Sequence, residues 1–600
     1  MVLFPVRKLD SILGRMVEEQ QVSKQDKFPK KKYMGEAIKI RLSHELSEGE
    51  KQATEKREVK VLQCLKSLGI ACDENNVPNI AILGSGGGLR AMIALLGTLV
   101  EMKNQGLLDA VMYLCGVSGS TWSMSLLYDD KDWTENVQEL EKKLCDALVK
   151  DSWSWQEAYN ITSQAADDEL FSLTDTWAAF LVYQTLEQYD QTKLSQHQEA
   201  SANGTNPYPI YAAVEKKKLN KDSENCPGTW FELTPHESGF PGPGAFVCTK
   251  GLGSKFDNGM LKEKKEEKNI CYLQGVWGSA LASMEKIIEY LLDLIFRRQR
   301  GKQEKAIFKS GGAHRIDGHT MFSFPPGTLC TCACCQCILL LLELLVQASS
   351  GKDSKEIFRE LKEILKGESS KKAFQKCCEM SETWGSKTLE ERMRACAELF
   401  EMEFGEMQTS PCTTLWKIFI CICHWRWGST NNFLYKCGDS KFTDLAKDQV
   451  IHLIDAGLAI NSAYPLVLRP ERKVKLILSF DFSSGNPFET IKKTATYCEE
   501  NKIPFPKIDP AKLTEKDNPS DCYIFKGKDV PTVMHFPLFN KKNCPGEIED
   551  FRNRFSTFSW SYPDDDVKEL LRRAKMNVSN NKEVILEEIQ QIVSSSTKEF

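Results

Sequence analysis

The sequence has no excess of basic charge. Its 78 lysine and arginine residues face 83 aspartate and glutamate residues, which leaves a formal net charge of -5. A protein-wide basic field for nucleic acid is therefore absent, and nucleic acid is not an expected partner. Disordered, collagen-like and coiled-coil chains are also excluded, because 41% of the 600 residues are hydrophobic and 27% are charged. These proportions are ordinary for a globular protein with a sizeable core.

Targeting and membrane-spanning segments are missing as well. The first twenty residues contain no continuous apolar run, and Asp10, Glu18 and Glu19 come too early for a secretory signal. The best candidate for a transmembrane helix, residues 330–346, is interrupted by Glu343. We therefore expect a cytoplasmic protein with reduced cysteines, which associates peripherally with intracellular membranes such as the endoplasmic reticulum.

Cysteine, by contrast, is abundant, with 22 residues. Five of them lie in the apolar run at 330–337, and Cys412, Cys421 and Cys423 form a second group. The CxxC spacings of the first group formally allow zinc, but no histidine lies nearby, so no metal site is predicted. S-acylation and simple burial stay open as alternatives for these cysteines.

The order of predicted elements indicates an α/β protein. A buried strand at 79–83 and another at 111–115 are each followed by a glycine turn and a helix. This order predicts a parallel-rich sheet whose faces are covered by helices. We expect an N-terminal arm at 1–40, one large domain at 41–595, and a cap inserted into that domain at about 240–430.

Ser118 lies between glycines, in the stretch GVSGS (116–120), directly after a predicted strand and before a helix. A serine at such a turn is typical of the nucleophile elbow, in which glycines allow a tight turn that raises the hydroxyl above the sheet. The helix N-terminus would favour developing negative charge there. A glycine-rich turn with a capping serine is the alternative interpretation.

A second glycine turn, GSGGGLR (84–90), also lies between a strand and a helix. Backbone N–H groups at a helix start can hold a phosphate or the oxyanion of a tetrahedral intermediate. A P-loop is excluded, because no Gly-Lys-Ser/Thr follows. A dinucleotide-binding turn needs an acidic residue after the next strand, but Asp109 precedes that strand.

Asp455 follows the predicted strand at 450–454 and precedes small residues. A carboxylate at a strand end can approach a serine and act as its base, although a lone Asp-Ala-Gly is also typical of an ordinary turn. A Ser-Asp-His triad would need a histidine after Asp455, and only His535 is available. A two-residue Ser/Asp site is the alternative to that triad.

Three stretches together resemble the cytosolic phospholipase A2 family, relatives of the patatin-type lipid acyl hydrolases: GSGGGLRAM (84–92), GVSGSTW (116–122) and DAGLAIN (455–461). The resemblance implies a three-layer α/β catalytic domain over 41–595, with a parallel-rich central sheet and a large inserted cap. It also implies a dyad of Ser118 as nucleophile and Asp455 as base. There is no room for a C2 domain before Ser118, so the sequence looks most like the gamma type, although it has no C-terminal prenylation box.

The same resemblance assigns roles to the glycine turn and to the arginine after it. The oxyanion hole is assigned to Gly86, Gly87 and Gly88, and the substrate phosphate to Arg90, whose permanently charged donor fork suits an anion. A salt bridge on the first helical turn is the alternative role for Arg90. Neither a cofactor nor a metal is implied.

We therefore expect a calcium-independent phospholipase A2 and lysophospholipase that hydrolyses acyl esters of glycerophospholipids through an acyl-serine intermediate. Transacylase activity follows if a lysophospholipid accepts the acyl group in place of water. The expected partners are phospholipids, lysophospholipids and a peripheral membrane surface, and the oligomeric state stays open. The alternative is a catalytically silent lipid-binding or membrane scaffold of the same fold.

Overall fold

The computed structural model of the protein describes residues 38–148, 154–222, 226–279, 332–349, 354–366, 371–404, 413–438, 444–557 and 559–596. The arm predicted at 1–40 therefore lies almost entirely outside the described residues. From Lys39 onwards the chain packs as one compact unit. Within the described ranges, no helix is long and apolar enough to cross a membrane.

Short apolar segments of the sequence form the strands. The strands are β1 (Ile40–Leu42), β2 (Asn79–Gly84), β3 (Tyr113–Gly116), β4 (Tyr208–Glu215), β5 (Trp230–Leu233), β6 (Glu237–Phe240), β7 (Ala245–Cys248), β8 (Lys255–Asp257), β9 (Met260–Glu263), β10 (Ser429–Asn431), β11 (Val450–Asp455), β12 (Val474–Asp481), β13 (Tyr523–Phe525) and β14 (Thr532–Pro537).

Apart from the β8–β9 hairpin, these strands form one sheet of twelve strands. Ten of them follow the order β1-β7-β6-β5-β4-β3-β2-β12-β14-β13, and the other two, β10 and β11, pair with each other beside this row. The five central strands, from β4 to β14, run parallel. Antiparallel strands extend the sheet on both sides, and β11 joins it by pairing antiparallel with β4. The predicted α/β class is confirmed, and the antiparallel flanks add to the predicted parallel centre.

Helices connect and cover the strands. The helices are α1 (Glu48–Ser67), α2 (Leu89–Asn104), α3 (Gly119–Leu127), α4 (Trp133–Leu148), α5 (Trp155–Ala165), α6 (Leu173–Trp177), α7 (Tyr183–Leu186), α8 (Gln198–Ser201), α9 (Lys216–Asp222), α10 (Ile270–Trp277), α11 (Ala333–Ser349), α12 (Lys355–Ile364), α13 (Lys371–Thr383), α14 (Leu389–Phe404), α15 (Thr413–Cys423), α16 (Tyr464–Val467), α17 (Glu489–Glu500), α18 (Ile548–Arg554), α19 (Asp564–Ser579) and α20 (Lys582–Ser596). Every residue of β3 and β4 is buried, so both faces of the central sheet are covered.

Helix α2 is the central helix of the domain and is buried on nearly all sides. It packs against α19, and Gly97 lies at that contact. A Cβ atom at Gly97 would lie 3.0 Å from the carbonyl oxygen of Leu571 on α19. Glycine therefore lets the two helices approach closely, which explains why a residue with low helix propensity lies in the middle of α2.

The middle of the chain contains a helical bundle formed by α11 to α15. Its interior holds thiols from four of these helices, those of Cys337, Cys377, Cys396 and Cys423, and all four are buried. Burial raises the pKa of each thiol, to about 11 for Cys377. The thiols therefore stay protonated and unreactive at neutral pH.

The structure bears on the two alternatives left open for the cysteine run. Cys334, Cys335 and Cys337 are 5%, 1% and 0% exposed, so burial within the bundle, rather than acylation at the surface, fits these three side chains. Cys330 lies outside the described residues. In the described part of the chain, no group of three or more His, Cys, Asp or Glu side chains is arranged to hold a metal ion.

Candidate active site

Strand β4 brings the predicted nucleophile and the predicted base to the same place. One edge of β4 pairs with β5 through Tyr211–Val214, so β3 and β11 must share the other edge. On that edge Gly116 of β3 lies opposite Tyr211, and Asp455 of β11 lies opposite Ala213. Two residues along a strand span about 7 Å. The carboxyl ends of β3 and β11 therefore point at each other, with Ser118 and Asp455 in the turns where they meet.

The backbone at Ser118 has the strained conformation of a nucleophile elbow. Its φ is 53° and its ψ is -128°, a combination that a residue with a side chain rarely adopts. Helix α3 begins at the next residue, so the serine lies at a helix N-terminus. Ser118 is 5% exposed, so its hydroxyl lies in a largely enclosed site. This backbone conformation is the one expected of the predicted elbow.

The two glycine turns pack directly on each other. A Cβ atom at Gly119 would lie 1.8 Å from the carbonyl oxygen of Gly88, and one at Gly86 would lie 2.8 Å from the Cβ of Ser118. These separations are shorter than any real contact, so glycine is needed at both positions. The nucleophile turn and the second glycine turn therefore form one unit.

Replacement of Gly119 by alanine is expected to lower turnover of a phospholipid by at least about 10²-fold, because the new methyl group must displace Gly88 and small displacements in a catalytic site are that costly. The measurement is kcat on mixed micelles. Gly385→Ala is the matched control, since a Cβ there meets nothing within 4 Å. Turnover by the Gly119 variant within twofold of the parent would contradict the prediction.

Two neighbouring segments hold the second glycine turn through Ser85. The Ser120 hydroxyl donates to the Ser85 carbonyl oxygen at 2.6 Å, which connects the turn to α3. The Ser85 N–H donates to the carbonyl of Phe480, and the N–H of Phe482 donates to Ser85 Oγ at 2.7 Å, which connects it to the end of β12. The turn therefore takes its conformation from its surroundings.

The three glycines of this turn differ in what their N–H groups contact. The Gly86 N–H donates to the carbonyl oxygen of Asn461 at 3.1 Å. In the part of the chain that the structure describes, the N–H groups of Gly87 and Gly88 donate to no protein acceptor. Gly87 and Gly88 also have positive φ values, 155° and 60°. Of the three glycines predicted for the oxyanion hole, Gly87 and Gly88 therefore have the available donors, and Gly86 does not.

Asp455 is completely buried at the end of β11. Its Oδ1 accepts the N–H of Gly457 at 2.8 Å, and its own backbone N–H donates to Ser279 Oγ at 3.1 Å. These two contacts fix the carboxylate beside the Ser118 turn.

Arg90 lies on the first turn of α2 and is 1% exposed. Its Nε donates to the carbonyl of Phe482 at 2.6 Å, Nη1 donates to the carbonyl of Phe555, and Nη2 donates to Thr557 Oγ1 at 3.2 Å. Burial lowers the pKa of the guanidinium. Among the described residues, Arg90 forms no salt bridge, and its three hydrogen bonds go to uncharged oxygens. Contact with a substrate phosphate requires the Phe555–Thr557 segment to move away from Arg90.

His535, the candidate for a triad histidine, lies on β14, three strands from β3 in the sheet. With strands about 4.8 Å apart, it is about 14 Å from the line of the Ser118 turn. Its Nε2 donates to the carbonyl of Pro487 at 2.7 Å, and burial lowers the pKa of the ring. The structure does not bring His535 together with Ser118 and Asp455.

Several residues that support the site had no predicted role. Ser85, Ser120, Ser279 and Asn461 hold the backbone of the glycine turns or of Asp455. Three of them, Ser85, Ser120 and Asn461, lie inside the stretches GSGGGLRAM, GVSGSTW and DAGLAIN, and that position was the available signal. Ser279 lies far from these stretches, and nothing in its own neighbourhood points to Asp455.

Comparisons with known proteins show which proteins the chain is similar to. The family profile described as lysophospholipase catalytic domain matches residues 80–291. The chain is 37% identical to cytosolic phospholipase A2 gamma of Mus musculus over 573 residues, 92% of each chain. It is 39% identical to the Homo sapiens protein of that name over 551 residues, 91% of this chain and 95% of that one. Human GIVD cytosolic phospholipase A2 has a similar fold, with a TM-score of 0.63 and 23% identity, over 93% of this chain and 69% of that one.

Proposed function

The chain belongs to the cytosolic phospholipase A2 family and is a phospholipase, and on that basis we propose that it cleaves acyl esters of glycerophospholipids and lysophospholipids with Ser118 as nucleophile and Asp455 as general base. The observation that carries this proposal is the register on β4, which sets the two turns about 7 Å apart along one strand edge. Intact Ser118 and Asp455 also argue against the alternative of a catalytically silent scaffold.

In the first half of the reaction, Ser118 Oγ attacks the ester carbonyl carbon while Asp455 takes the hydroxyl proton. The carbonyl oxygen becomes an oxyanion, and the N–H groups of Gly87 and Gly88 are the donors proposed to stabilise it. The Gly86 N–H, bonded to Asn461, holds the turn in place. Collapse of the intermediate breaks the ester bond, and the leaving lysophospholipid oxygen takes the proton from Asp455.

The second half of the reaction releases the acyl group from Ser118. Asp455 removes a proton from a water molecule, which attacks the acyl-serine carbonyl, and the fatty acid leaves as Ser118 regains its proton. A hydroxyl of a lysophospholipid can take the place of the water, because it presents the same O–H group to the same base. We therefore propose transacylase activity as a second outcome of the same intermediate.

Arg90 is the proposed contact for the substrate phosphate. The guanidinium lies on the helix that begins at the proposed oxyanion hole, so a phosphate there would lie close to the ester being cleaved. Its present hydrogen bond to Thr557 Oγ1 is the contact that an anionic phosphate would replace, because a charge-assisted bond is stronger than a bond to a hydroxyl.

We also propose that the enzyme acts without calcium and at a membrane surface. Each step above uses a carboxylate and backbone N–H groups, so a metal ion has no role in it. The substrates reside in bilayers, and peripheral association from the cytoplasm, including at the endoplasmic reticulum, would bring the enzyme to them. The similar proteins are named cytosolic phospholipase A2 gamma, which supports the cytoplasmic part of this placement.

The test is the product pattern from a phosphatidylcholine with different labelled chains at sn-1 and sn-2, measured in calcium and in excess chelator. We expect free fatty acid and lysophospholipid to form as fast in chelator as in calcium. When lysophospholipid is added, we also expect some re-acylated phospholipid. Activity that is lost in chelator and restored by calcium would contradict calcium independence. Release of phosphocholine or phosphatidic acid would contradict acyl-ester cleavage.

A further inference from the structure

The glycine turn proposed as the oxyanion hole cannot orient itself. Gly86, Gly87 and Gly88 have no side chains, and glycine has the most conformational freedom of any residue. An oxyanion hole works only if its donors are already aimed when charge develops, so another residue must hold this turn. Ser85 is held from α3 and β12, but those contacts lie before the three glycines.

Asn461 holds the turn at the glycines themselves. Its carbonyl oxygen accepts the Gly86 N–H at 3.1 Å, and its Nδ2 donates to the Gly86 carbonyl oxygen at 3.2 Å. The same Nδ2 donates to Ser483 Oγ at 3.1 Å. Both backbone polar groups of Gly86 are therefore bonded to one residue, and that residue is itself anchored to the segment after β12.

The Asn461 side chain also fills the space between the two halves of the site. A Cβ atom at Gly86 would lie 2.4 Å from Asn461 Oδ1, and one at Gly457, in the turn after Asp455, would lie 3.1 Å from the same oxygen. The amide is thus packed between the glycine turn and the aspartate turn. A movement of either turn must displace it.

From these contacts we infer that Asn461 is a positioning residue, which couples the turn of Asp455 to the oxyanion-binding turn and sets the direction of the Gly87 and Gly88 N–H groups. The inference rests on the proposed function. It predicts a defect that is confined to the transition state, because Asn461 acts on the donors that contact the oxyanion and not on the bound lipid.

The test is Asn461→Asp, which keeps the size of the side chain and replaces the Nδ2 donor by an oxygen facing the Gly86 carbonyl. We expect kcat to fall by about 10²-fold, the effect of losing one oxyanion donor, with KM within about twofold. The affinity for an acyl trifluoromethyl ketone, which forms a tetrahedral oxyanion on Ser118, should fall by the same factor as kcat/KM.

Asn432→Asp is the matched control. Like Asn461, Asn432 uses its Nδ2 to donate to backbone carbonyls, those of Leu445 at 2.6 Å and Asp448 at 2.8 Å. It does not contact the glycine turns. We expect its ketone affinity to be unchanged. Equal losses of ketone affinity in both variants would overturn the inference, as would a defect of Asn461→Asp in KM alone.

Ser483→Ala gives a second route if Asn461→Asp does not fold. It removes the outer anchor of Nδ2 while leaving Asn461 intact, so we expect a loss of kcat of about tenfold. Unchanged kcat in Ser483→Ala and Asn461→Ala would overturn the inference. A fully active Ser118→Ala would instead overturn the proposed function, so the two failures are distinguishable.

Discussion

Ser118→Ala is expected to lower fatty-acid release from phospholipid vesicles by at least about 10⁴-fold, without loss of folded protein. We expect a loss of this size because the proposed nucleophile and base act together, so removal of one disables both. Alanine is the smallest available change at a position with φ of 53°, and it adds nothing to the enclosed site. The measurements are release of a labelled acyl chain, labelling by a fluorophosphonate probe, and the thermal unfolding midpoint.

Ser123→Ala is the control for this variant. Ser123 is a buried serine on the same helix, α3, about one helical turn beyond Gly119. None of the glycine contacts described above involves it. We expect it to keep both probe labelling and acyl release. Acyl release by Ser118→Ala at the parental rate, or loss of labelling in Ser123→Ala but not in Ser118→Ala, would assign the nucleophile to another residue.

Asp455→Asn is expected to reduce turnover by about 10³-fold or more, within the range that general-base catalysis contributes. An asparagine keeps the oxygen that accepts the Gly457 N–H at 2.8 Å, so the turn stays in place while the basic oxygen is lost. Pre-steady-state acylation with a chromogenic ester is the measurement, because the general base acts before the acyl-serine forms. We expect the acylation burst to be lost.

His535→Asn tests whether the site is a Ser/Asp dyad or a Ser-Asp-His triad. His535 lies about 14 Å from the serine turn by strand spacing, and its Nε2 is bonded to the Pro487 carbonyl. We expect this variant to retain most of its activity per folded molecule and to lose stability, because it breaks a buried hydrogen bond. An inactive but folded His535 variant would support the triad.

Local patterns in the sequence were enough to predict the Ser118 turn and the glycine turn. Each turn lies directly after a buried strand and before a helix. The glycines in each turn indicate the tight backbone conformation that the turn adopts. The α/β class followed from the same order of elements. These features depend on neighbours in the chain, so a short window of residues contains the information that determines them.

Other features depend on partners far away in the chain and could not be predicted. The strand of Asp455 was expected, but its antiparallel pairing with β4 follows from a contact between residues 213–215 and 453–455. The enclosure of Arg90 depends on Phe555 and Thr557, and the burial of the cysteine run depends on packing between α11 and α14. No local pattern encodes such pairings, because they arise from tertiary packing.

The meeting of β3 and β11 on one edge of β4 has a consequence for the time at which the enzyme becomes active. During synthesis, chains emerge N-terminus first, and β3 and β4 are complete long before β11 is made. During that period the proposed nucleophile, Ser118, exists without its proposed base, Asp455. Under the proposed mechanism, the nascent chain therefore cleaves no lipid until β11 has been made and has paired with β4.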